Sequence, residues 1–226
     1  EDHVFSSTST YTNPLKAVEF FKKTGCDALA ISYGTMHGAS KGKDVKLRKE
    51  IAIAIKECMM HENIFGVLVS HGSSTVPRYI VDEINALGGN IQNAYGISIN
   101  ELKAAIPCGI GKINVDTDIR LAVTRNMKEF FKNNPSKRDS ASIGGVYQLL
   151  EEKKDQFDPR AFLPPIMDTV MYGTIKDDDT AALVEVIEKG VKEAIGTLIV
   201  EFGSFGKAPL VEQVSLEEMI ERYKKM

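Results

Sequence analysis

The sequence predicts an α/β fold built on parallel strands, and three observations carry that prediction. Between Ala28 and Ser70 the hydrophobic pattern passes from a short continuous run to a helical period and back to a run, a strand, helix, strand order. The same alternation repeats as far as residue 131. The strand starts, near 27, 65 and 110, lie 38 and 45 residues apart, which leaves room for one or two crossover helices and is far too long for a hairpin.

The first strand, residues 27–34 (DALAISYG), is apolar on both faces and ends in glycine, which predicts burial on both sides in a parallel sheet. Leu47, Ile51, Ala54 and Cys58 follow at helical spacing. Residues 65–70 (FGVLVS) form the second strand, after which Pro77 fits the first turn of a helix carrying Ile80, Val81, Ile84 and Leu87. Ser98-Ile99-Asn100-Glu101 has capping-box spacing and opens a short helix. Residues 110–115 supply the third strand, before Ile119, Ala122, Val123, Met127 and Phe130 on a helix. Beyond Phe131 the strand signals fade. A polar stretch over 133–142 precedes a helical segment through Lys154, and a long helix is expected after Phe157-Asp158-Pro159-Arg160, running to about Val200. On it Val184, Ile187, Val191, Ile195 and Leu198 form the stripe expected to be buried. Ser215-Leu216-Glu217-Glu218 repeats the capping-box spacing and puts Leu216, Met219, Ile220 and Tyr223 on one face of a final helix.

The 226 residues are 43% hydrophobic, enough for a sizeable core, and carry a net charge of −3, which offers nucleic-acid phosphates no attraction. No apolar run reaches the roughly 18 to 20 residues of a membrane span, and the first residues lack the charged and apolar regions of a secretory signal. The expectation is a cytoplasmic protein that binds neither nucleic acid nor membrane. Cys26, Cys58 and Cys108, odd in number and widely spaced, read as reduced thiols filling core positions. Because Glu1-Asp2-His3 is not an initiator, the chain is expected to be a piece of a longer one.

In parallel α/β folds the loops after the strands converge on one rim and carry the ligand groups. Here those loops hold residues 34–42 (GTMHGASKG), 71–74 (HGSS) and 114–118 (NVDTD). His37 and His71 each stand just past a strand and each precede a glycine, so they can face one another across a divalent ion, zinc first, with a third ligand still to be supplied. Either is equally readable as a packed, hydrogen-bonded histidine. Gly38, Gly72 and Ser74 have the character of a phosphate cradle, Lys41 can add charge, and the N–H groups of Asp116 and Thr117 can meet an anion at a helix start. The alternatives are ordinary glycine turns and a simple N-cap at Asp116 or Thr117. Arg120 can neutralise a phosphate or form a surface pair, and Asp118 reads as a solvated carboxylate.

Taken together, residues 26–42 (CDALAISYGTMHGASKG), 70–77 (SHGSSTVP) and 111–122 (GKINVDTDIRLA), followed by Phe157-Asp158-Pro159-Arg160 and Glu201-Phe202-Gly203-Ser204, resemble the class II, zinc-dependent fructose-1,6-bisphosphate aldolases. The resemblance covers essentially the whole chain in order. It implies a TIM (β/α)8 barrel, of which residues 1–226 supply the C-terminal portion of a single domain: the last three strands and a helical tail. The first five strands are absent, and with them the family's catalytic aspartate and first zinc histidine. His37 and His71 are then zinc ligands. Gly38, Lys41, Gly72 and Ser74 hold the phosphate of the dihydroxyacetone half, near a monovalent cation. Asn114 holds the enediolate region, Asp116 and Thr117 contact substrate hydroxyls and phosphate, and Arg120 and Arg160 engage the second phosphate, Arg160 from a neighbouring subunit of a homodimer or larger homo-oligomer. Glu1 matches a loop acid of proton transfer. Ser40 stands where many members have tyrosine, and Met36 where smaller residues are common.

The implied activity is reversible cleavage of fructose 1,6-bisphosphate into dihydroxyacetone phosphate and glyceraldehyde 3-phosphate, a step of glycolysis and gluconeogenesis. A tagatose 1,6-bisphosphate aldolase, or another class II ketose-bisphosphate aldolase, fits the same rim. So does a noncatalytic sugar-phosphate-binding fragment, since this piece alone lacks the catalytic aspartate and is expected to be inactive without its N-terminal half.

Overall fold

The computed structural model describes residues 11–35 and 45–224. The chain enters through a helix, α1 (Pro14–Thr24), whose ends are written in the sequence. The Asn13 carboxamide accepts from the N–H groups of Leu15 and Lys16, Pro14 fills the first turn, and Gly25 closes the helix at φ 64°. Then follow β1 (Ala28–Ala30), α2 (Lys49–His61), β2 (Val67–Ser70), α3 (Arg78–Ala86), α4 (Ile99–Ala105), β3 (Ile110–Ile113) and α5 (Thr117–Asn133).

The strands form one parallel sheet in the order β1-β2-β3, with Ala28 opposite Val67, Leu68 opposite Ile110, and a register shift between Leu68 and Val69. Parallel pairing and crossover helices are as expected; the strands are shorter. In β1, Ile31 still donates to the Val69 carbonyl, but Ser32 turns to the incoming chain, exchanging bonds with Thr12, and Gly34 at φ 107° ends the extended run. At the start of β2, Phe65 lies outside the pairing and is 96% exposed.

One sheet face is closed and the other is not. Ile31, Tyr33, Leu68 and Ile110 pack with α1, α2 and α4 residues such as Phe21, Ile55, Met59 and Leu102. Ala28, Ala30 and Val67 point the other way and are exposed, so the expected two-sided burial of the first strand is not met among the described residues. Cys26, Cys58 and Cys108 are free thiols packed against the closed face, as core filling requires.

The capping box at α4 is half made. The Ser98 hydroxyl accepts from the Glu101 N–H, but the Glu101 carboxylate turns outward to Lys49 and the Leu47 N–H, and the Lys49 bond holds its pKa below the usual carboxylate range. Pro77 occupies the cap position of α3 rather than its first turn.

After α5 come a 3-10 turn over Pro135–Asp139, α6 (Gly144–Glu152), short 3-10 turns at Pro159–Ala161 and Pro164–Ile166, α7 (Met167–Tyr172), α8 (Asp178–Glu201), a 3-10 turn at Ala208–Leu210 and α9 (Leu216–Lys224). The long helix expected after Arg160 is therefore divided. Pro164-Pro165 interrupts it, and Gly173 at φ 68° stops α7 before Asp177 caps α8 through the Thr180 N–H. The buried stripe of α8 is also rotated from the expected one: Thr180, Leu183, Gly190 and Ala194 are buried, while Ile195 is exposed. The smallest residues set that contact line. A Cβ on Gly190 would lie 2.9 Å from the Ala122 carbonyl oxygen, so α8 crosses α5 at the glycine and at Ala194, where backbones can approach. In α9, Ser215 accepts from the Glu218 N–H as expected, and its apolar face is exposed. No helix among the described residues is long and apolar enough to cross a membrane.

Candidate active site

The C-terminal ends of β2 and β3 bring two loops together, 71–76 and 114–118. Backbone bonds fix their spacing: the Asn114 N–H donates to the Ser70 carbonyl at 2.9 Å, and the Ser73 N–H to the Asn114 carbonyl at 3.3 Å. The side chains of His71 and Asn114 meet above that ladder, with Asn114 Nδ2 lying 3.2 Å from His71 Nε2 and 3.3 Å from Nδ1, so the amide can donate to whichever ring nitrogen lacks a proton. Lys112 Nζ donates to the other end of the Asn114 amide, Oδ1. Gly72, at φ 62°, makes the sharp turn that a Cβ would oppose.

Ser74 joins the loops a second time. Its buried hydroxyl accepts from the N–H groups of Asp116 and Thr117, at 3.2 and 3.0 Å, so the two donors expected to meet an anion do converge, and on Ser74 Oγ. Asp116 makes no side-chain cap; its carboxylate accepts from Arg120 Nε at 2.7 Å. Arg120 also donates to Asp158, and Arg160 grips the same carboxylate through Nε and Nη2. Arg120 and Arg160 therefore meet within one chain, through Asp158. That double ion pair, led by the Arg160 bonds, holds the Asp158 pKa below the usual aspartate range.

The expectation of a solvated Asp118 is overturned. It is 3% exposed, and its carboxylate accepts from the Thr75 N–H and hydroxyl at 2.9 and 3.0 Å and from the Val76 N–H at 2.6 Å. Val76 sits at φ 51°, a left-handed conformation that a β-branched residue strongly resists. The carboxylate acts as its clamp, because charge-assisted bonds to consecutive N–H groups hold the turn in place. The spacing from Thr75 to Asp118 conceals this, since the partners are 43 residues apart in sequence. Also unread in the sequence is a buried hydroxyl trio, Tyr33, Ser70 and Ser73, beneath the His71 turn.

Glu1, His37, Gly38 and Lys41, with Met36 and Ser40, lie outside the described residues. Among the described residues no three His, Cys, Asp or Glu side chains cluster as a metal set. His71 suits a divalent ion as one member of a larger set, being an exposed imidazole at a strand end with a neutral amide beside it.

Comparison with known proteins gives the decisive observation: residues 1–207 match the family described as fructose-bisphosphate aldolase class-II. The chain belongs to that family. The fructose-bisphosphate aldolase of Xanthobacter flavus is 34% identical over 94% of this chain and 49% of its own length. The Giardia intestinalis enzyme of the same name is 34% identical over 96% of this chain and 54% of its own. A crystal structure of a Coccidioides immitis protein assigned as a fructose-1,6-bisphosphate aldolase covers 93% of this chain and 50% of that one, at 19% identity and a TM-score of 0.47. The chain spans about half the length of the curated aldolases it matches.

Asp118→Asn should destabilise this aldolase-family chain by about 3 kcal/mol, since an amide turns a donor toward the Thr75 or Val76 N–H; urea unfolding measures it, and a loss under about 1 kcal/mol would contradict the clamp. For Asp158, whose pKa is lowered on folding, the contribution is complete above the ordinary aspartate pKa of about 3.9 and fades as pH falls through the folded value. The melting-temperature gap between wild type and Asp158→Asn should therefore narrow on acidification from neutral pH to below pH ~4. A gap that widens would reverse the sign.

Proposed function

We propose that the complete protein is a class II fructose-bisphosphate aldolase, and that residues 1–226 contribute the last three strands of its (β/α)8 barrel. The observation that carries the reading is the meeting of the His71 and Asn114 side chains at the ends of adjacent parallel strands, in a chain of this family. The exposed face of Ala28, Ala30 and Val67 supports it too, because a barrel interior needs that face and further strands to close over it.

Cleavage of fructose 1,6-bisphosphate removes the C4 hydroxyl proton and breaks the C3–C4 bond, leaving the electron pair on C3 beside the C2 carbonyl. Zinc, when bound, supplies Lewis-acid stabilisation of that charge. His71 is one ligand from this chain, and His37 is the other. Asn114 is held at one end by Lys112; once metal occupies His71, its amide N–H would turn from the imidazole, which it meets here, to the oxygen that gains charge. The Gly72 turn and Ser74, with Gly38 and Lys41, take the phosphate next to the ketose carbonyl, and a monovalent cation shares that charge. The N–H groups of Asp116 and Thr117 at the helix start are taken by Ser74 Oγ, so a substrate anion there would be met by the helix dipole and the Ser74 hydroxyl proton. Arg120 and Arg160 receive the second phosphate in competition with Asp158; Arg160, with its side chain 73% exposed, is the more accessible. Glu1 serves proton transfer.

In the complete protein, a chelator should abolish cleavage of fructose 1,6-bisphosphate and zinc should restore it. His71→Ala should lose bound metal and turnover together, and Asn114→Ala should lower kcat by about 10²- to 10³-fold with metal retained. Full activity in metal-free protein, or a borohydride-trapped lysine adduct of the substrate, would refute the reading.

A further inference from the structure

Three hydroxyls lie in a row beneath the His71 turn, and each belongs to a fully buried residue. The Tyr33 hydroxyl is 2.5 Å from Ser70 Oγ, Ser70 Oγ is 2.6 Å from Ser73 Oγ, and Ser73 Oγ donates to the His71 carbonyl at 3.3 Å. One donor order satisfies all three contacts: a carbonyl only accepts, so with the Ser73 proton on the His71 carbonyl, Ser70 donates to Ser73 and Tyr33 to Ser70. Three protons fill three acceptors in one order. Burial raises the pKa of Tyr33, which keeps its phenol protonated as the source of that order. The row starts on the continuation of β1 and ends on the peptide of a residue at the mouth of β2, so it ties the end of β1 to the strand end that carries His71.

We propose that Tyr33 is a positioning residue: through Ser70 and Ser73 it fixes the His71 peptide carbonyl, and with it the direction in which the imidazole leaves β2 toward a bound metal. This rests on His71 being a metal ligand. Phenylalanine fills the space of Tyr33 and removes only the first donor, so Tyr33→Phe separates the hydroxyl row from the packing of the core. Ser73→Ala cuts the row at its other end.

The test is a chelator-competition zinc titration of the complete protein, wild type against Tyr33→Phe, Ser73→Ala and the double variant, with melting temperatures of the metal-free forms. The zinc Kd should rise on the order of 10-fold in each single variant. The double variant should lose no more than Ser73→Ala alone, because the hydroxyls act as one unit. Lowered melting temperatures with zinc Kd unchanged would overturn the proposal and leave Tyr33 a purely structural residue. Multiplying losses in the double variant would overturn the one-way row. Should Tyr33→Phe fail to fold, the zinc Kd of Ser73→Ala decides. Wild-type protein that binds no zinc would overturn the ligand reading of His71 and this proposal with it, whereas a wild type that binds zinc beside unaffected variants would overturn this proposal alone.

Discussion

The loop geometry of the rim depends on the buried carboxylate of Asp118. Val76 is held in a conformation that costs about 1–3 kcal/mol for a residue of its kind, and the consecutive N–H bonds to Asp118, with the Thr75 hydroxyl bond and the burial of Val76, offset that cost. The exchange is reciprocal. The loop after β2 gives its N–H groups to Asp118 at the start of α5, and the start of α5 gives the N–H groups of Asp116 and Thr117 back to Ser74. Gly96 completes the enclosure from outside, since a Cβ there would lie 2.2–2.4 Å from the Ser74 and Thr75 backbone. With both loops so locked, His71 and Asn114 project from a rigid base.

Electrostatics at the other side of the rim is balanced rather than simply positive. Arg120 and Arg160 are matched by Asp116 and Asp158, so the four groups carry no net charge in the absence of ligand. Guanidiniums already paired are held in fixed orientations, and in the phosphate-binding role proposed for them an arriving phosphate would exchange partners with a carboxylate instead of ordering two loose side chains. Arg120 is fixed at both ends, by Asp116 on its own helix and by Asp158 across a loop. Arg160 is anchored only through Asp158.

Local patterns in the sequence account for much of the architecture. The three parallel strands, their crossover helices, the Ser98 and Ser215 caps and the convergence of the loops that carry His71 and Asn114 follow from short-range periodicity and from the rule that strand-end loops share a rim, whereas the contact between those two side chains does not. What stayed hidden is tertiary. The largest apolar residues of α8 mark one stripe for burial, but Gly190 and Ala194 decide the contact because helices approach closest where side chains are smallest. Asp118 reads as solvated in the sequence, whereas its partners come from a loop 42 and 43 residues away. In the sequence Tyr33 and Ser70 are ordinary strand residues, since nothing local marks two hydroxyls that meet only when β1 and β2 pair.

The measurement that tests the account most directly is a crystal structure of the complete, zinc-loaded protein, with the metal located by anomalous scattering at the zinc edge. Zinc should lie at the strand ends, with an imidazole nitrogen of His71 about 2.0–2.1 Å from it. Zinc bound elsewhere, with His71 outside its coordination sphere in an active enzyme, would contradict it.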